Sequence, residues 1–434
     1  MFWLYSIVLA LGLLAISPVL LLKDTQNGRY TRFLGERFGR LPKLEEAGAI
    51  WLHAVSVGEA LAIERLIAML RDEFPERPIV LSVTTAAARG VVERRMPAQR
   101  LFYFPLDFRW VARRSLRAVR PALVLIVETE IWPNFLREAR AAGVPVAFIN
   151  GRISGRSYAR YRLVRRLMRR ALGGVTCWLM QTQTDADRCL DLGARPERVQ
   201  VAGNLKFDLV PPEKRALLRL LAVKFRDAGV NHVLVAGSTM EGEEAILLDT
   251  FAGVRERFPR ALLILAPRHP QRFEAVAEML ARGLLPWSRR TRLESDGVQA
   301  GGVLLLDSLG ELATVYRYAD IAFIGGSLVP HGGHNLLEPA YFGAPIVFGP
   351  SMHNFAAIAE EFLAAHAAFR ADSAAELCHV ILRLLDDNRL REEMGRGARR
   401  LLESKRGATA RVVEVVRPLL SAAPARAPLP ADTP

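Results

Sequence analysis

The 434-residue chain reads as an α/β protein of two doubly wound halves behind an N-terminal apolar helix. Three observations lead there. Short unbroken apolar runs alternate with amphipathic helical patterns, as parallel strands buried on both faces and separated by helices do. Near the midpoint, Asp208-Leu209-Val210-Pro211-Pro212-Glu213-Lys214 interrupts the alternation, and paired prolines end regular structure. At the start, the run from Phe2 to Leu22 carries no charge.

That first run predicts a transmembrane anchor over 2–22. A helix of this length rises roughly 31 Å, close to the ~30 Å hydrocarbon core, and Pro18 lies near its end, where a kink is tolerated. A cleaved signal peptide is the competing reading; against it, no Lys or Arg precedes the run, which is long for such a peptide. Lys23, Arg29, Arg32, Arg37, Arg40 and Lys43 follow, with only Asp24 and Glu36 among them, so the positive-inside rule puts the body in the cytoplasm. Strands are then expected at Ile50–Val55, Ile79–Val83, Leu101–Phe104, Leu123–Val127, Val146–Ile149 and Trp178–Gln181. The second half repeats the pattern at Val233–Ala236, Leu262–Ala266, Val303–Leu306, Ile321–Ile324 and Ile346–Phe348. The expected limits are a first α/β domain over 23–209, a second over 210–420, and a disordered Ala/Pro-rich tail over 421–434.

Composition excludes collagen-like and wholly disordered readings, since 51% of residues are hydrophobic and 24% charged. The 59 Lys and Arg against 45 Asp and Glu, a formal +14, favour polyanions: nucleic acid, acidic lipid or a phosphorylated substrate. Three cysteines without a CxxC pair argue against a disulfide framework and a Cys-based zinc site. Eight arginines between Arg152 and Arg170 alternate with Tyr161, Val164, Leu167 and Met168 at helical spacing. This predicts one basic amphipathic helix, either a solvated face or a contact for anionic head groups.

In open α/β sheets, ligands bind outside the carboxyl ends of the strands, so the loops there are the ones to read. His53-Ala54-Val55-Ser56-Val57-Gly58-Glu59 leads from a strand into a helix. Glu59 is either a complement to the helix dipole or a general base facing the cleft, while His53 reads as structural. Glu128-Thr129-Glu130 follows a buried strand, where an unpaired carboxylate is costly and calls for a cation or hydroxyl partner; the pattern does not choose between the two acids. Lys206 of Gly203-Asn204-Leu205-Lys206-Phe207-Asp208 is either a solvated charge or the partner of an anionic substrate. Ala266-Pro267-Arg268-His269-Pro270 puts a permanent cation at a strand end, and Ser308-Leu309-Gly310-Glu311-Leu312 offers backbone N–H groups.

The densest loop runs Gly325-Gly326-Ser327-Leu328-Val329-Pro330-His331-Gly332-Gly333-His334-Asn335-Leu336-Leu337-Glu338. Its glycines let backbone N–H groups approach an anion, and Asn335 is expected to open a helix whose N-terminus adds positive potential. Glu338 either accepts from ribose hydroxyls or closes a capping box with Asn335. Neither GxGxxG nor GxxxxGK[ST] occurs, which removes the main support for dinucleotide dehydrogenases and P-loop enzymes. His331 and His334 as a metal pair would need further ligands.

Together HAVSVGEA, ETEIWPN, GNLKFD, APRHP, SLGEL and GGSLVPHGGHNLLEPA, six motifs in register after the apolar run, resemble the 3-deoxy-D-manno-octulosonic acid (Kdo) transferases of lipopolysaccharide synthesis. The resemblance implies a GT-B fold, two Rossmann-like domains facing a cleft. It also implies inverting transfer of Kdo from CMP-Kdo to a lipid A precursor, lipid IVA, at the cytoplasmic face of the bacterial inner membrane. By motif position, Glu59 corresponds to the proton acceptor, and Glu128 and Lys206 to transition-state stabilisers. Pro267, Arg268, Leu309, Gly310, Glu311, Asn335, Leu336, Leu337 and Glu338 correspond to CMP-binding positions. No cofactor or metal is implied. The expected partners are CMP-Kdo, the lipid A precursor and inner-membrane lipids, with no nucleic acid. The nearest enzymatic alternative is a GT-B enzyme moving a UDP-activated sugar to a membrane lipid. A membrane-tethered nucleic-acid-binding protein would leave all six loops unexplained.

Overall fold

The computed structural model describes residues 2–27, 33–41, 43–44, 46–96 and 100–421. The chain divides into two compact units, one of Met1–Asp208 with Arg406–Pro434, the other Leu209–Lys405.

The first unit is built on seven parallel strands: β1 (Ala49–Ala54), β2 (Ile79–Val83), β3 (Arg100–Tyr103), β4 (Pro121–Val127), β5 (Val146–Gly151), β6 (Cys177–Met180) and β7 (Val199–Val201). Their order is β3-β2-β1-β4-β5-β6-β7. Central β1 pairs Trp51 with Val80 on one side and Val124 on the other. Alternation along each strand feeds two separate cores. Ile50, Leu52 and Leu125 join one with Leu66 and Leu70, whereas Trp51, Val124 and Ile126 join the other with Phe102 and Phe135. Both faces are covered, which is why these strands read as continuous apolar runs.

The second unit repeats the plan with β8 (His232–Thr239), β9 (Ala261–Pro267), β10 (Trp287–Arg289), β11 (Val303–Leu305), β12 (Ile321–Ile324), β13 (Ile346–Phe348) and β14 (Ala368–Arg370), in the order β10-β11-β9-β8-β12-β13-β14. Every expected strand is present to within a residue or a few at its ends. The sequence reading missed β7, β10 and β14. These are three-residue edge strands with polar members such as Gln200, Ser288 and Arg370, too short to make an apolar run.

Two expectations are corrected. The helix Ala408–Ser421, assigned by position to the second domain, belongs to the first unit. Its Val412, Val413, Val416 and Leu420 join the core of Leu66 and Leu70, and its N-terminus is capped in trans by Asp208, which accepts from Gly407 N–H at 2.6 Å and Thr409 N–H at 2.5 Å. The Arg152–Arg170 stretch is two helices, Gly155–Leu163 and Arg165–Leu172. Between them Val164 N–H turns back to Tyr161 O (3.1 Å), an i→i−3 bond that tightens the chain and lets Leu167, Met168 and Leu172 enter the core.

The N-terminal helix spans Phe2–Asn27, and Phe2 and Tyr5 pack against the core that contains Trp51. Among the described residues no helix is long and apolar enough to cross a membrane. The side chains of 16 and 18–22 in the expected anchor lie outside the description, as do Arg29, Arg32 and the tail from 422.

Candidate active-site residues in each unit

In the first unit, β1 runs through Val55 to Ser56, the N-cap of the helix Val57–Ala62, which places Glu59 in its first turn. Glu59 N–H donates to Ser56 Oγ (3.3 Å), Ser56 Oγ–H donates to Glu59 Oε1 (2.9 Å), and Val55 N–H donates to Glu59 Oε2 (2.8 Å). This reciprocal capping orients the carboxylate within the fold. Burial pushes its pKa up to about 7. The Val55 N–H works against that rise, and the nearby Glu128 and Glu130 add to it. The two readings of Glu59 are therefore compatible: the cap that holds it also presents a carboxyl poised to take a proton near neutral pH.

Glu128 follows β4 with φ +58, a left-handed backbone that a non-glycine residue rarely adopts. Its N–H is tied to Ile149 O at 2.9 Å, and Thr129 and Arg152 exchange bonds across the same loop (Arg152 N–H to Thr129 Oγ1, 3.0 Å). The turn breaks the alternation that would have sent Glu128 and Glu130 the same way. Burial, with the charge of Glu128 next, raises the Glu130 carboxyl.

Lys206 rides a 3-10 turn, Leu205–Asp208, after β7. Buried Asn150, at φ +54 near the end of β5, accepts Leu205 N–H at Oδ1 (3.0 Å). Gln181 Nε2 donates to Asn150 O (3.0 Å), and Asn204 Nδ2 donates to Gln181 Oε1 (3.1 Å). Asn204 Oδ1 in turn receives Lys206 N–H (3.0 Å). Glu59, Glu128 and Lys206 thus emerge at the carboxyl ends of β1, β4 and β7, and this amide relay along β5 and β6 sets the turn that carries the lysine.

His53 is structural, as expected. It is fully buried, stacked on Phe104 (centroids 3.9 Å apart), with Nδ1 3.1 Å from Ser82, and burial lowers its pKa to about 3.

In the second unit the loops after β8, β9, β11 and β12 carry the other candidate residues. Arg268 N–H donates to Thr239 O (3.0 Å), fixing the Pro267-Arg268 corner to β8. Arg272, two residues beyond Pro270, makes a forked pair with fully buried Glu244 (2.5 and 3.0 Å), whose Oε1 also receives Thr239 Oγ–H (2.8 Å). Glu243 beside it is also fully buried and accepts four backbone N–H groups, from Met240 (2.9 Å), Gly326 (2.6 Å), Ser327 (2.9 Å) and Leu328 (2.9 Å). Burial raises its pKa, and the four donors work against that rise. One carboxylate therefore ties the start of the glycine-rich loop to the loop after β8. Gly326 sits at φ +69, where a Cβ would lie 3.1 Å from the His334 ring.

Glu311, carried over as a CMP-binding position, is engaged by Arg290 (2.9 Å) and receives the Ser308 hydroxyl, while Leu309 is exposed and Gly310 turns at φ +69. Asn335 does not open the helix: the helix is Leu337–Phe342, capped by Leu336, and Asn335 Oδ1 accepts Leu337 N–H (3.1 Å) from just outside. A helix of six residues has little dipole to offer, and the N–H groups of Gly326, Ser327 and Leu328 are taken up by Glu243, so Arg268 supplies the positive charge beside His334. Asn335 Nδ2 lies 3.3 Å from Glu338 Oε1, a side-chain link rather than a full capping box. Burial, then Arg268, His269 and His331, lower the His334 pKa to about 4. Among the described residues no group of three or more His, Cys, Asp or Glu is placed to hold a metal ion.

The sequence reading did not identify Glu243, Glu244, Arg272, Asn150, Gln181 or Asn204. The adjacent acids in Met240-Glu241-Gly242-Glu243-Glu244, directly after a strand, were the available signal for the first two.

Two Rossmann-like units, each built on a seven-stranded parallel sheet, define a GT-B-like fold. The fold agrees with UDP-N-acetylglucosamine 2-epimerase from Neisseria meningitidis bound to UDP-GlcNAc (TM-score 0.54, 14% identity, covering 85% of this chain and 100% of that one). Residues 32–209 match the family model described as 3-deoxy-D-manno-octulosonic-acid transferase (kdotransferase). The chain is 35% identical to the 3-deoxy-D-manno-octulosonic acid transferase of Bordetella pertussis, over 90% of this chain and 92% of that protein. It is 31% identical to the Haemophilus influenzae enzyme of the same name, over 94% and 97%. The chain belongs to the Kdo transferases, glycosyltransferases of lipopolysaccharide synthesis.

Proposed function

We propose that the enzyme moves Kdo from CMP-Kdo onto a hydroxyl of a lipid A precursor with inversion at the anomeric carbon. Glu59 takes the acceptor hydroxyl proton as that oxygen bonds to the anomeric carbon. The bond from that carbon to the phosphate oxygen breaks, and CMP departs with the electron pair. Glu128 and Lys206 stabilise the charge that develops at the sugar. Pro267 and Arg268, the Leu309-Gly310-Glu311 segment and Asn335 to Glu338 hold CMP, with Arg268 bearing the growing phosphate charge. The apolar N-terminal helix and the basic residues after it keep the body at the cytoplasmic face of the inner membrane, where the lipid acceptor is presented.

The observation that carries this reading is Glu59: a carboxyl fixed by Val55 and Ser56, raised to about 7 by burial, at the end of β1 beside the acid loop that follows the neighbouring β4. Purified enzyme in detergent, incubated with CMP-Kdo and a tetra-acylated lipid A precursor, is expected to release CMP and add one Kdo mass step per sugar to the lipid. Competition by CMP but not by UDP separates this donor from the UDP-sugar alternative. A folded sample that leaves the lipid mass unchanged refutes the proposal.

A further inference from the structure

One surface of the first unit concentrates charge that the transfer chemistry does not use. The helix Arg109–Val119 and the segment before β1 border an open groove of about 670 Å³, whose lining includes Lys43, Arg109, Trp110, Arg113, Arg114 and Arg117. The acid paired with this set is buried Glu138, which takes Arg109 at 2.7 Å and Arg113 at 2.9 Å. Burial pushes that carboxyl up, but the two guanidiniums outweigh it and hold it below its ordinary value. Lys43, Arg114 and Arg117 are exposed and make no ion pair among the described residues.

Apolar surface adjoins this charge. Trp110 is 55% exposed and stacked on Phe38, with rings nearly parallel and centroids 6.1 Å apart. The helix Pro133–Ala141, which supplies Glu138, is also joined to the N-terminal helix. Asn134 Nδ2 donates to Ser6 Oγ (3.0 Å), and Arg137 lies over the Phe2 ring at 5.1 Å. From there Trp3, Leu4, Val8, Leu11 and Leu14 face outward. Cations, an exposed tryptophan and an apolar helix face thus share connected elements of one unit. A soluble anion would use only the charge, and a nucleic acid the charge and Trp110 but not the apolar helix face. A bilayer surface presents phosphate to the arginines, an interfacial layer to Trp110 and hydrocarbon to the helix.

We infer that this groove binds the phosphate head group of an anionic bilayer lipid, as a site separate from the donor and acceptor residues. Guanidinium groups suit a phosphodiester because they donate paired, charge-assisted hydrogen bonds. The inference stands whether or not the proposed donor and acceptor are correct.

The test uses the full-length protein in non-ionic detergent micelles, titrated with phosphatidylglycerol or phosphatidylcholine carried in the same micelles. Saturable binding of phosphatidylglycerol and none of phosphatidylcholine are expected. The double variant Arg114→Glu, Arg117→Glu is expected to weaken the anionic lipid about tenfold or more. The milder Lys43→Gln, at an exposed position, is expected to weaken it about threefold or more with unchanged thermal melting, which guards against misfolding of the double variant. Unchanged affinity in both variants, indifference to the head group, displacement by millimolar inorganic phosphate, or preference for a short DNA duplex would each overturn the inference.

Discussion

Glu59 and Glu243 occupy equivalent places in the two units. Each lies in the first turn of the helix that follows the first strand of its sheet, each is buried, and burial raises the pKa of each. Their partners differ. Glu59 is bonded by Val55 and Ser56, residues of its own loop, and faces the repulsion of Glu128 and Glu130. Glu243 gathers four backbone N–H groups, three of them from the loop after β12. The same position thus serves two ends. With few donors and acidic neighbours it yields a carboxyl suited to accept a proton; with four donors it becomes an anchor that shapes a loop.

The comparison is broken most severely at Glu59. Glu59→Gln is expected to lower Kdo transfer by about 10²–10⁴ while leaving CMP binding unchanged, read by turnover and by calorimetric titration of CMP. Retained turnover would remove its role as base. Next in size is Glu243→Ala, which leaves three N–H groups of the glycine loop and that of Met240 without their acceptor. A loss of about 2–4 kcal/mol in stability is expected, with a raised KM for the sugar donor, measured by denaturant unfolding and steady-state kinetics. Glu243→Gln retains one carbonyl oxygen and should lose less.

Arg268→Ala is expected to weaken CMP about tenfold to a hundredfold, by loss of a charge-assisted contact to phosphate, without altering the pH at which transfer is half-maximal. For wild type that pH follows from Glu59: the base works only when deprotonated, so kcat/KM should rise with pH through about 7 and level above it.

The smallest effect has the opposite sign. The folded-state pKa of Glu59 lies above its unfolded value, so the native state binds the extra proton, and stability falls as pH rises from about 4.5 to about 7. At pH 8, Glu59→Gln should therefore be more stable than wild type by about 1–3 kcal/mol and melt higher. At pH 4 the two should nearly coincide. A lower melting point at pH 8 would show that the charged form is well accommodated, against the contrast drawn with Glu243.

Much of this was legible from the chain. The buried strands announced themselves because a sheet covered on both faces needs unbroken apolar runs, and the loops at their carboxyl ends carried the candidate site residues of each unit. Edge strands such as β10 and β14 were not legible, since three residues with one covered flank need no such run. The division of Arg152–Arg170 into two helices was hidden for a different reason. Helical spacing holds on both sides of Val164, and only the core contacts of Leu167 and Met168 set where the turn tightens.

Residue type and order determined the class of fold, the strand ends to inspect and the identities of Glu59, Lys206 and Arg268, because these depend on periodicity and local motif. Tertiary structure decided what those residues can do. The rise of Glu59 to about 7 comes from burial and from acids some 70 positions away, and the glycine loop is shaped by Glu243 from more than 80 positions away. The return of the last helix to the first unit rests on Asp208, about 200 residues earlier. Burial and long-range hydrogen bonds have no local signature, since they exist only once distant strands lie side by side.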